Sequence, residues 1–299
     1  MARFHPASFK DFYRKRLQRS RECGVLPGNE ERLILNSRGL PPFAILYIHG
    51  FRACRAEGEY VIGILAKIFG ANAYFIRLPG HGTSKEDLDR TGMAAVLEEA
   101  ETALLMMNRL GKKVLVVGTS MGGLVATYLA SQYPDRVDGL VLFSPFYDFA
   151  RRVLRILSAR PLCHIVKKIR RPLVDDDPVP PAADNWTRYW YPEYYFSSLA
   201  LLMEMKRRIV VKSILGRVAA PVLMLYYYKD KNHQDPSASV AAMKRAFARF
   251  GALSGGTALR KMVPVSDGNH VLLSKYVHSD KDIVIREISE FIRQIKINM

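Results

Sequence analysis

The chain has 299 residues, enough for one large domain or for a core that carries an insertion. Hydrophobic residues make up 49% and charged residues 24%, which excludes a disordered, collagenous or coiled-coil chain. Forty-five Lys and Arg against 28 Asp and Glu leave a formal charge of +17, a surface suited to anionic membranes, nucleic acid or acidic substrates. No nucleic-acid-binding motif accompanies that charge, so nucleic acid is not expected as a partner.

The cysteines Cys23, Cys54 and Cys163 are odd in number and form no C-x-x-C pair, which argues against a disulfide framework or a zinc cluster. Residues 1–24 lack the apolar core of a signal peptide, and no apolar run reaches the roughly 18 residues of a membrane span. A cytoplasmic setting is expected, with peripheral contact to an anionic membrane as one use for the charge.

The elements follow in order. Residues 1–30 form a basic segment in which Phe9, Phe12, Tyr13 and Leu17 recur at helical spacing. Such a helix could lie on a membrane or pack its apolar side on the domain. Residues 32–36 read as a short strand. Residues 43–49, FAILYIH, are a continuous apolar run, as in a strand buried on both faces. A helix over 57–69, a strand over 72–78, a helix over 93–110, a strand over 113–119, a helix over 121–133 and a strand over 138–144 follow. The alternation then stops for about 70 residues. It resumes with a strand at 221–228, a helix at 237–250, a strand at 259–265 and a helix at 283–297. Strands alternating with helices imply an α/β fold with a mainly parallel sheet. The organisation expected is a core of residues 31–146 and 219–299, interrupted by a helical insertion at 147–218.

Gly118-Thr119-Ser120-Met121-Gly122 fits G-x-S-x-G. It follows a buried strand and opens a helix, the context in which a sharp turn lifts a serine hydroxyl beyond the sheet edge. The glycines suit a turn with no room for side chains. Serine is a weak nucleophile at neutral pH and needs a base, which in turn needs an orienting carboxylate. His270 follows the last expected strand, where open α/β sheets place their sites, and is the candidate base. Asp230 follows the strand at 221–228 and is the candidate acid; Asp235, in Asp-Pro-Ser, reads instead as the N-cap of the next helix. Asp148 is a remoter option, and Asp267 lies too close to His270 in sequence. His49-Gly50-Phe51 ends a strand where the backbone N–H of Phe51 could meet a substrate oxyanion, with the N–H of Met121 as second donor. His49 itself reads as a structural hydrogen-bonding residue.

These segments, with Arg77-Leu78-Pro79-Gly80-His81-Gly82-Thr83-Ser84 and Gly118 to Gly123, resemble the α/β-hydrolase superfamily. The similarity is to its lysophospholipase, monoacylglycerol lipase and carboxylesterase group, which carries a helical cap. The resemblance spans about residues 43–297 and implies Ser120 as nucleophile, Asp230 as acid, His270 as base, and the Phe51 and Met121 amides as oxyanion donors. It implies a structural place for His81. The chain departs from the pattern in a long stretch from Asp230 to His270 and in an N-terminal part with one strand where the full fold has a hairpin.

The insertion is basic and apolar over 150–171, then acidic at Asp175, Asp176 and Asp177, then dense in aromatics. Trp186, Tyr189, Trp190 and Tyr194 are candidates for an acyl-binding wall, or for the core of the cap itself. The three aspartates lack calcium-loop spacing, and neither metal nor cofactor is called for. The expected activity is cleavage of carboxylic esters, of lipid or small-alcohol type, through a Ser-His-Asp triad and an acyl-enzyme. Amide, thioester or N-terminal peptide hydrolysis on the same residues, or a non-catalytic binding role, are the alternatives.

Overall fold

The computed structural model describes residues 8–174, 188–255 and 259–297. In chain order its elements are α1 (Phe9–Glu22), β1 (Arg32–Ile34), β2 (Phe43–Ile48), α2 (Glu59–Ile68), β3 (Asn72–Phe75), α3 (Lys85–Arg90), α4 (Met93–Met106), β4 (Lys113–Thr119), α5 (Met121–Gln132) and β5 (Gly139–Phe143). After β5 come α6 (Arg152–Leu157), α7 (Arg160–Val166), β6 (Pro172–Val174), β7 (Glu193–Tyr195), α8 (Leu199–Ile209) and α9 (Lys212–Leu215). The chain closes with β8 (Val222–Tyr227), α10 (Val240–Phe247), β9 (Arg260–Val265) and α11 (Lys281–Ile297).

Seven strands form one sheet in the order β1-β3-β2-β4-β5-β8-β9. All neighbours in it run parallel except β1, which pairs antiparallel with β3 at one edge. The strands match the seven expected from the apolar runs. The reason is visible in β2, every residue of which is buried. Ala44, Leu46 and Ile48 join one core, and Phe43, Ile45 and Tyr47 join the other. Side chains of a strand alternate between faces, so a strand covered on both sides must be apolar throughout. The first core holds α1, α4, α5, α8 and α10, and the second holds α2 and α11.

Of the two readings of the basic N-terminal helix, the structure takes the packed one. Ser8 caps α1 by accepting the Asp11 N–H. Phe9 and Phe12 are buried and meet the Tyr74 ring edge-on at centroid distances of 5.1 and 5.9 Å. Among the described residues no helix is long and apolar enough to cross a membrane.

The main sheet is interrupted between Phe143 and Val222. The intervening segment is less purely helical than expected, because β6 and β7 form an antiparallel ribbon of their own. Nor is all of it separate: Leu199, Leu201, Leu202, Met203, Met205 and Ile209 of α8 are buried in the same core as α5. Trp186 and the run Asp175 to Asp177 lie outside the described residues.

Candidate active site

The carboxyl ends of β2, β4, β5, β8 and β9 share one edge of the sheet because these strands are parallel. Chain segments that leave this edge carry His49 to Phe51, Ser120, Asp230 to Asp235 and His270. Ligands of open α/β sheets bind at such an edge.

Ser120 sits between β4 and α5 with φ 52° and ψ −117°, a left-handed backbone rare outside glycine. Such strain costs on the order of 1–3 kcal/mol and persists only where the surroundings fix it. Here they do. The Ser120 N–H donates to the Phe143 carbonyl at 2.9 Å, and its own carbonyl accepts from Phe146 at 2.9 Å and Leu124 at 3.2 Å. A Cβ at Gly118 would lie 2.3 Å from the Gly122 carbonyl oxygen, and one at Gly122 would lie 2.0 Å from that of Ile48. Both glycines are therefore steric requirements of the turn. Met121 is the first residue of α5, where N–H groups have no intrahelical acceptor and the helix dipole favours negative charge.

The loop after β2 is held from two sides. The Leu78 N–H donates to His49 Nε2 at 3.0 Å, which leaves His49 Nδ1–H to donate to the Gly50 carbonyl at 2.9 Å. That fixes the peptide whose other end is the Phe51 N–H. Burial drives the His49 pKa well below its ordinary value, so it is a neutral structural group, as expected from the sequence. His81 stands 4.9 Å away, centroid to centroid, bonded through Nδ1 to the Pro79 carbonyl. Burial lowers its pKa to about 4. Arg77 ties this loop to α1 through the His81 carbonyl at 3.2 Å and Ser20 Oγ at 2.9 Å.

The acid is where the structure and the sequence reading part. His270 Nδ1 lies 2.8 Å from Asp235 Oδ2 and 3.0 Å from Oδ1, and Asp230 is elsewhere. Asp230 instead pairs with His233 at 2.9 Å, on an exposed turn. Hydrogen bonds from the His233 side chain and from the backbone hold its carboxyl below the usual range. The cause of the displacement is a short return of the chain after β8. The N–H groups of Lys229 and Asp230 donate to the His233 carbonyl, Tyr228 bridges Gln234, and the Asp235 N–H returns to the Tyr227 carbonyl at 3.1 Å. Asp235 is thereby brought back to the strand end that Asp230 has already left. Its Oδ1 also accepts the N–H groups of Ser237 at 2.9 Å and Ala238 at 2.7 Å. It is not the N-cap of α10; Ser239 is. Asp148 is ion-paired with Lys206, and Asp267 is hydrogen-bonded to His278.

The loop after β9 reaches back across the sheet edge, where Ser274 Oγ donates to the Ala56 carbonyl at 3.4 Å. His270 acts electrostatically on Glu57, beside Gly50, and a Cβ at Gly50 would lie 3.2 Å from Ser120 Cβ. Gly50 thus lies against Ser120 and Glu57, and Glu57 is within electrostatic reach of His270.

The aromatic stretch divides. Tyr194 packs edge-on against Phe51 at 5.9 Å, with the Arg52 guanidinium 4.5 Å over its ring. Tyr189 and Trp190 instead face Tyr276, at 5.1 and 6.3 Å. Tyr191, in the same stretch, docks the segment on the core. Its hydroxyl accepts the Thr83 N–H at 2.7 Å and donates to the Gly80 carbonyl at 3.1 Å. A cavity of about 320 Å³ borders the loop after β2 at Arg52, with Asn29, Tyr189, Trp190 and Tyr191 in its wall.

Residues 44–169 match a family model described as the alpha/beta hydrolase fold. A thermostable monoacylglycerol lipase from Bacillus sp. (strain H-257) is 25% identical over 221 residues, which cover 73% of this chain and 80% of that protein. The human monoacylglycerol lipase ABHD6 is 32% identical over 103 residues, 34% of this chain and only 30% of that protein. Among solved structures, one from a study of the metagenome-derived lipolytic enzymes LipS and LipT superimposes with a TM-score of 0.72 at 19% identity, covering 90% of this chain and 99% of that one. A soluble variant of the Saccharomyces cerevisiae monoglyceride lipase gives 0.67 at 14% identity over 89% and 91%.

Proposed function

Because the chain belongs to the α/β-hydrolase superfamily and is of its lipase/esterase type, we propose that it cleaves acyl esters, of lipid or small-alcohol type, through Ser120, His270 and Asp235. The observation that carries this reading is the buried Asp235–His270 pair at the sheet edge where Ser120 is held in a strained turn.

Asp235 accepts from His270 Nδ1–H, which leaves Nε2 as the face that takes a proton. Ser120 Oγ attacks the ester carbonyl as that proton leaves, and the amides of Phe51 and Met121 meet the oxyanion. Removing one such donor typically costs about 10²–10³ in rate. His270 then protonates the departing alcohol, and water repeats the sequence on the acyl-enzyme. Apart from the changed acid, these are the roles expected from the motifs. The relatives named monoacylglycerol lipase favour an acylglycerol substrate over an amide or thioester. Tyr194, against Phe51, is the candidate cap residue for the acyl chain.

The same reading extends to a substrate met at a lipid surface. Val153 and Ile156 of α6 and Ile165 of α7 are 66%, 57% and 55% exposed. They lie among Arg151, Arg152, Arg155, Lys167, Lys168 and Arg171, with no acidic residue between 151 and 171. Apolar side chains among cations suit an anionic bilayer. Sedimentation with anionic vesicles, weakened by salt and by Ile156→Asp, is the expected result; equal binding to neutral vesicles opposes it.

The test of the activity is hydrolysis of p-nitrophenyl esters of rising acyl length, with fluorophosphonate labelling. Ser120→Ala should abolish labelling and lower turnover by about 10⁶. Labelling without ester turnover would move the reading to an amide or thioester, and no labelling would overturn it.

A further inference from the structure

Glu57 is a buried carboxyl to which the mechanism above gives no part. It ends a short 3-10 turn, Arg55–Glu57, and is 2% exposed. Its Oε2 accepts the Gly50 N–H at 2.7 Å and the Tyr47 hydroxyl at 3.0 Å. That hydroxyl also lies 3.0 Å from Thr119 Oγ1. The contacts run from the peptide before the Phe51 amide to the residue before Ser120. Two glycines make room for them. A Cβ at Gly58 would come within 2.3 Å of the Tyr47 ring, and one at Gly50 would sit 2.9 Å from Glu57 Oε1 and 3.2 Å from Ser120 Cβ.

We propose that Glu57 is a positioning residue for the oxyanion hole. Its Oε2 holds the His49–Gly50 peptide, and through Tyr47 it registers the Phe51 amide against the strand that ends at Ser120. His49 holds the following peptide through the Gly50 carbonyl, so two consecutive peptide planes are clamped by two buried side chains. The physical need is plain: an oxyanion donor works only if it points at where charge develops, and a displacement of about 1 Å can cost 10²-fold in rate. A loop carrying Arg52 at φ 65° directly after Phe51 would not hold that direction by itself. Glu57 faces Tyr47 from β2 and Gly50 from the loop, and His270, from the loop after β9, acts on it electrostatically in the direction that lowers its pKa. Cys54, on its own loop, is a neutral thiol pushed up to about 12 by burial.

This inference rests on the proposed ester hydrolysis, so wild-type labelling by a fluorophosphonate is read first; its absence overturns both. With labelling in hand, kcat and KM for a p-nitrophenyl ester are measured separately for Glu57→Leu, Glu57→Gln and Tyr47→Phe, alongside Tm. Leucine removes the acceptor at similar volume, and kcat should fall about 10- to 100-fold with KM within about threefold. Glutamine keeps an acceptor oxygen and should recover kcat to within about fivefold of wild type. Tyr47→Phe removes the hydroxyl that joins Glu57 to Thr119 but leaves the Glu57–Gly50 bond, and should fall between them. If the leucine variant does not fold, Tyr47→Phe carries the test. Unchanged kcat in Tyr47→Phe or in Glu57→Leu, or a glutamine variant no better than leucine, overturns the inference and leaves the triad standing.

Discussion

Two aspartates lie within a few residues of each other after β8, each paired with a histidine, and the chemistry of the two pairs on paper is the same. In one, Asp230 and His233 meet at 2.9 Å with side chains 49% and 63% exposed. In the other, Asp235 and His270 meet at 2.8 Å with side chains 0% and 15% exposed. The first pair is local, three residues apart on a turn. The second joins two loops that are 35 residues apart. Water screens the first, and long flexible surface pairs contribute little. The second is shielded, and its carboxylate is pinned by two further backbone N–H groups, so its direction is fixed before any substrate arrives. Distance alone does not distinguish a turn ornament from a candidate catalytic pair; burial and the partners of the carboxylate do.

The sharpest way to break this comparison is to exchange each acid for its amide. Asp235→Asn should lower kcat for ester hydrolysis by about 10⁴, because the imidazole loses both its orientation and the stabilisation of its charged form. Equal activity in Asp235→Asn and wild type would remove Asp235 from the site.

A smaller effect tests burial on a third carboxyl. Burial raises the Glu57 pKa from 4.5 to about 7, against the opposing hydrogen bonds of Gly50 and Tyr47. Between those two values the unfolded chain gives up its proton while the folded one keeps it. Stability is therefore lost as pH rises through that window, and the full penalty stands above about 7. Glu57→Gln has no charge to bury, so its Tm should gain on wild type between pH 5 and pH 8, with a limit of roughly 3 kcal/mol. A difference independent of pH would refute the assignment.

The smallest effect belongs to the exposed pair. Asp230→Asn should leave kcat within about twofold and Tm unmoved at physiological salt. A loss as large as that of Asp235→Asn would restore Asp230 as the acid.

Much of this was legible in the chain. The residue runs of β2 and β4 announce strands buried on both faces, and Gly118 to Gly122 announces the turn at Ser120, because these signals are local. His270 was legible from its place after the last strand. Asp235 was not. Its Asp-Pro-Ser context resembles a helix cap, and only the hydrogen-bonded return over residues 228–235 sets it beside His270. Glu57 gave no signal either, since its partners come from β2 and from the following loop, and it reaches Thr119, the residue before Ser120, only through Tyr47. Nor could periodicity tell that the basic helix α1 packs Phe9 and Phe12 inside while α6 and α7 leave Val153, Ile156 and Ile165 outside.

The sequence by itself determined the strand order of events along the chain, the doubly covered sheet and the strained serine turn. Each of these follows from interactions between residues close in sequence: alternation along a strand, and sterics within a turn. The tertiary structure alone decided which carboxylate meets the histidine, which buried groups hold the loop after β2, and which apolar faces stay uncovered. Those outcomes depend on where separate loops end up at one sheet edge, and on how much water remains there, and neither is written in any short stretch of residues.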